Sequence, residues 1–174
     1  RTKDQLLKAY IQATSMLKAR GLEPRLQRLD NEASKLLKDY MYAENVDFQL
    51  TPAGVHRRNR AERAIQTFKN HMIAGLCTVD PQFPLNLWDK LIPQAVITLN
   101  MLQQSRINPK LSSYQQLYGN FDYNAMPMAP PGTKIVMHSK PDQRASWAYH
   151  GLEGFYVAPA PNHYRCLTCY LPLT

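Results

Sequence analysis

Cysteine is scarce in this chain: there are three in 174 residues, an odd number that cannot form a closed set of pairs. That argues against a disulfide scaffold and for a reducing compartment. The sequence has no run of about 18 apolar residues and no secretory leader pattern. The chain is therefore expected neither to span a membrane nor to carry an export signal, and to work in the nucleus or cytoplasm. Glycine is limited to 7 residues, and none forms a Gly-rich phosphate loop. No internal repeat occurs. Acidic residues are also short in supply, 13 against 21 Lys and Arg, for a net charge of +8. The basic excess is concentrated in residues 1–28 and 56–69, which favours a polyanionic partner. The apolar content of 44% is enough for one sizeable core and a small second module.

Hydrophobic spacing predicts the elements. Leu6, Leu7, Tyr10, Ala13 and Leu17 share one helical face over residues 3–20, Thr2 and Gln5 can form a capping box, and Gly21 is a natural stop. A short strand at 24–29 ends at Asp30. A helix over 32–44 has Leu36, Leu37 and Tyr40 inward, and a second strand runs from Val46 to Leu50. After a polar loop at 53–60, a helix from Ala61 to about Leu76 carries the core stripe Ala61, Ile65, Phe68, Met72 and Leu76. A further helix holding Trp88, Leu91, Ile92, Ala95, Val96, Leu99 and Leu102 is expected to kink at Pro93. The Pro-rich stretch at 124–132, NAMPMAPPG, is read as a linker. Beyond it, 133–138, 154–158 and 164–171 are short β-like runs, the pattern of a small barrel or meander.

The chemistry centres on Glu62, a lone carboxylate among Arg57, Arg58, Arg60, Arg63 and Lys69. It could simply favour a basic helix start, where an acid stabilises the exposed N–H groups by about 0.3–1 kcal/mol. It could equally hold a divalent ion while the surrounding cations hold a polyanion, the arrangement that metal-dependent phosphoryl transfer needs. Asp30, at the C-terminal end of a predicted strand, stands where open α/β sheets place their chemistry, and it can converge with Glu62 on one ion. Glu62, Gln66 and Lys69 share a stripe of the same helix. Elsewhere, Cys166 and Cys169 form CxxC after His163, but strand positions three apart face opposite ways and there is no second ligand pair, so zinc is not expected. Cys77 and the His residues show no nucleophile–base arrangement. Trp88 and Trp147 are expected to pack in the core or barrel rather than to stack on bases.

The stretches RLDNEAS at 28–34 and QLTPAGVHRRNRAERAIQTFKN at 49–70 resemble the second half of a retrotransposon integrase core of the copia type, within the retroviral integrase superfamily. The segment INPKLSSYQQLYG at 107–119 resembles the stretch that closes such cores, and 133–171 the SH3-like barrel that follows them. The resemblance implies an α/β fold, a partial ribonuclease-H-like core (strand-helix-strand-helix-helix) over 1–123 and a small SH3-like β-barrel over 133–174. It also implies DNA integration by an acidic triad that binds Mg²⁺ or Mn²⁺. Asp30 and Glu62 match the second and third acids, as catalytic residues and metal ligands, and Arg57, Arg58, Arg63 and Lys69 would contact nucleic-acid phosphates.

The 31 residues between Asp30 and Glu62 are about one helical turn fewer than the family's usual spacing, a deletion that keeps the same helix face inward. The family's first Asp, on a strand ahead of the first helix, has no counterpart. Asp4 cannot replace it from a helix first turn, and the start at Arg1 suggests a piece of a longer polyprotein. The resulting expectation is a duplex-DNA-binding integrase fragment, inactive alone, with a homo-oligomer as a further partner state. The alternative is a non-catalytic DNA-binding or interaction remnant of a mobile element.

Overall fold

The computed structural model describes residues 2–30, 33–52 and 60–172. The chain divides into two units, Arg1–Thr67 and Phe68–Thr174, with the boundary inside a helix. No helix among the described residues is long and apolar enough to cross a membrane.

In the first unit, α1 (Lys3–Lys18) begins with the expected capping box: Thr2 accepts from the Gln5 N–H, and Gln5 accepts from the Thr2 N–H. It ends where Gly21, at φ 72°, lets the Leu22 N–H reach back to the Leu17 carbonyl at 3.0 Å. The same reversal closes α2 (Lys35–Ala43), where Asn45 takes φ 55° and the Val46 N–H bonds to Met41 O at 2.9 Å. The two helices bury Thr14 and Met41, with Tyr10 edge-on to Tyr40 at 6.1 Å. Burial raises the Tyr10 pKa, and a hydrogen bond to Glu44 raises that of Lys18.

The inward faces differ from the expected ones by one position. In α1 the face is Leu7, Tyr10, Ile11, Thr14 and Leu17, and Leu6 and Ala13 are exposed; in α2, Leu36 points out and Leu37, Tyr40 and Met41 point in. The packed stripes centre on Thr14 and Met41, the buried residues of the two helices, so in each adjacent leucine pair the member on that side, Leu7 or Leu37, goes in. Strands β1 (Leu26–Leu29) and β2 (Asp47–Leu50) pair in parallel, with Arg28 opposite Gln49 and Leu29 opposite Leu50. With α2 between them they form the strand-helix-strand unit read from the sequence. Helix α3 (Arg60–Leu76) follows. Its expected core stripe is only half realised: Phe68, Met72 and Leu76 pack, but Ala61 is exposed and Ile65 is 54% exposed. Nothing among the described residues of the first unit covers that end of the stripe.

The second unit is built on a core of Met72, Phe83, Leu91, Ala95, Phe155, Val157 and Ala158, with Phe83 edge-on to Phe155 at 5.6 Å. A 3-10 segment, Leu85–Leu91, precedes α4 (Ile92–Leu102). Pro93 therefore lies in the first turn of α4 and does not kink a longer helix, because a first-turn residue has no N–H bond to lose. Helix α5 (Ser113–Tyr118) opens with a Ser112–Gln115 capping box and ends at Gly119.

Residues 125–129 of the expected linker are half-buried, Gln94 donates to Ala129 O at 2.7 Å, and the Gly132 N–H bonds to Tyr156 O at 2.9 Å. Strands β3 (Lys134–His138), β4 (Gly151–Pro159) and β5 (Leu167–Tyr170) form an antiparallel sheet in the order β3-β4-β5. The sheet is an open meander among the described residues, and three strands cannot supply the tilt and stagger that close a barrel. The SH3-like barrel is thus not realised in the described chain.

Candidate nucleic-acid interface

A parallel strand pair ends with both chains running the same way, so residues that leave β1 and β2 emerge at one edge. Asp30 leaves β1 there, exposed, and the Thr51 N–H, next after β2, bonds to Leu29 O at 2.8 Å. At this edge Arg28, Gln49, Leu50, Thr51, Pro52, Arg60 and Arg63 line one pocket of about 390 Å³. The first turn of α3 therefore stands beside the C-terminal end of the strand pair, and it carries Glu62 between Arg60 and Arg63. Asp30 and Glu62 are both exposed. Among the described residues, none of the guanidinium groups of Arg28, Arg60 and Arg63 is ion-paired.

Three like charges around one pocket raise its potential, and an anion entering it would relieve their mutual repulsion. Lys69 is exposed two turns further along α3. Arg57 and Arg58 lie outside the described residues. Arg28 and Arg60 were missed as site residues by sequence reasoning. Arg28 could have been found from its place two positions before Asp30 on the same strand, because side chains two apart share a face.

A metal centre is less complete. Among the described residues no group of three or more His, Cys, Asp or Glu side chains is placed to hold an ion. Asp30 and Glu62 would have to serve as a pair. Cys166 and Cys169 are free thiols, and burial pushes the Cys169 thiol up, away from the thiolate a metal needs. Trp147 overturns its expected role. It is fully exposed, at the third position of a turn in which the Ala148 N–H bonds to Ala145 O at 3.0 Å, and the short residues around it offer nothing to pack on. Trp88 is 49% exposed.

No family model and no curated protein matches the chain. Among solved structures, it is similar to the HTLV-2 integrase catalytic core domain, solved in complex with magnesium in a trimeric form. That similarity covers 67% of this chain and 70% of the other, at 22% identity and a TM-score of 0.43. It is also similar to a chain of the simian T-cell lymphotropic virus intasome in complex with a PP2A regulatory subunit. That match covers 98% of this chain and 62% of the other, at 14% identity and a TM-score of 0.46, so the chain spans less than two thirds of that one's length.

Proposed function

We propose that the strand ends of the first unit and the start of α3 hold the sugar-phosphate backbone of duplex DNA, as part of an integrase of a copia-type mobile element. One observation carries this reading: Arg28, Arg60 and Arg63 converge on a single pocket without an ion-pair partner among the described residues. Arg57, Arg58 and Lys69 are the further phosphate-contacting residues of this reading. Guanidinium groups suit phosphate because their fork of N–H donors matches two of its oxygens.

Asp30 and Glu62 are the ligands for Mg²⁺ or Mn²⁺. When bound, such an ion supplies charge neutralisation to the reacting phosphate oxygens. The two-ion form of that chemistry, with ions about 3.5–4 Å apart, needs a carboxylate shared between them. Asp30 and Glu62 as a pair would hold one ion weakly, so one weakly held ion is proposed beside DNA binding. A second reading is a non-catalytic DNA-binding remnant of a mobile element.

Duplex binding followed across a salt series tests the proposal. With about four to six phosphates contacted, log K falls with log salt at a slope of roughly −4 to −5. Binding that does not change with salt contradicts it.

A further inference from the structure

We infer that the connection between β3 and β4, residues 139–150, is a stacking platform for unpaired bases of a nucleic-acid strand. Trp147 is 100% exposed and Tyr149 93% exposed. Two aromatic rings held almost wholly in water within three residues is an arrangement that folding alone does not favour, since large apolar side chains are otherwise drawn inside. The rings are not on a loose tether. The Ser139 N–H bonds to His150 O at 2.8 Å, Ser139 is itself buried, and the His138 and His150 rings meet edge-on at 6.4 Å across the base of the connection. Pro141–Gln143 forms one 3-10 turn inside it, and the Ala145–Ala148 turn lifts Trp147 out.

The composition of SKPDQRASWAYH selects the partner. Apart from Pro141 it contains no aliphatic side chain larger than alanine, so it offers no continuous greasy patch for a lipid surface or a protein core. It offers two π faces, with Lys140, Arg144, His138 and His150 nearby and Asp142 as the one acid of the stretch. Flat rings among cations are what a single strand uses: bases stack on the rings, and phosphates meet the positive side chains. The site lies in the second unit and is separate from the arginine pocket. It rests on the proposed function only for nucleic acid as the polymer.

The experiment uses the full chain and two single strands of about twelve nucleotides, a size within the usual footprint of such surfaces: one of thymidines, one abasic with the same phosphates. Trp147 fluorescence is read in Trp88→Phe, and affinity is read in the unsubstituted chain, so a poorly folding variant does not decide the result. The thymidine strand is expected to quench Trp147 and to bind about tenfold more tightly than the abasic strand, and Trp147→Leu is expected to abolish that preference. Equal affinity for the two strands, or a preference that survives Trp147→Leu, overturns the inference and leaves the rings to a protein partner. If the preference is found but duplex binding is independent of salt, the proposed function falls and this inference stands.

Discussion

Gly154 sits so close to Tyr170 that a Cβ built on it would lie 2.6 Å from the Tyr170 carbonyl oxygen and 3.0 Å from Leu171 Cδ2. The near neighbour is backbone of the paired strand, which cannot rotate aside. Gly154→Ala therefore forces β5 away from β4 in the centre of the sheet. The expected cost is about 1–3 kcal/mol, typical of overpacking. Thermal unfolding of the variant measures it, and an unchanged midpoint would mean that the strands separate freely there.

Tyr156 is fully buried, and burial pushes its phenol up to about 12 from 10.0. The folded chain thus keeps a proton that the unfolded chain releases near pH 10. This contribution is complete below pH 10 and is lost as pH rises toward 12. Stability should fall more steeply over that window in the natural chain than in Tyr156→Phe. Parallel pH curves for the two would show that the phenol does not titrate with unfolding.

Much of the local architecture was legible because it rests on short-range chemistry. Thr2 with Gln5, Gly21, the strand that ends before Asp30 and the meander after residue 132 all depend on neighbours a few positions away. The misjudged features depend on distant ones. Which of Leu6 and Leu7, or of Leu36 and Leu37, turns inward is decided by the helix on the other side. The solvation of Ile65 reflects what packs on α3 and not its own spacing, and nothing in the sequence around Trp147 says whether a pocket receives it. The candidate site draws on both kinds of feature. Asp30, Glu62 and Arg63 are expectations from residue type and place, and Arg28 is legible from its position two before Asp30, whereas Arg60 gains meaning only once the start of α3 and the strand ends border one pocket.

If that pocket takes a phosphate, Arg28→Gln and Arg60→Gln should each weaken duplex binding by a similar factor whatever the DNA sequence. Each should also make the salt slope shallower by about one. Lys8→Gln, a charge change outside the pocket, serves as the control. An equal effect from all three substitutions would reduce the pocket to part of the chain's general positive field.

Leu6, Leu26, Leu50 and Ile65 of the first unit are each more than 40% exposed. Where such side chains adjoin in one patch, association with another copy is favourable. Sedimentation velocity should show mass rising with protein concentration, and Leu26→Lys with Ile65→Lys should shift the chain toward monomer. A natural chain that stays monomeric at every concentration contradicts this.

In the proposed function, Asp30 and Glu62 hold one ion where β1 and β2 end. Manganese at a low ratio to protein, followed through the line broadening of backbone amides, tests it most directly. Leu29, Asp30, Ala61, Glu62 and Arg63 are expected to broaden together, and either Asp30→Asn or Glu62→Gln to remove the effect from both stretches. Broadening confined to one stretch, or surviving both substitutions, would show that the two carboxylates do not share an ion.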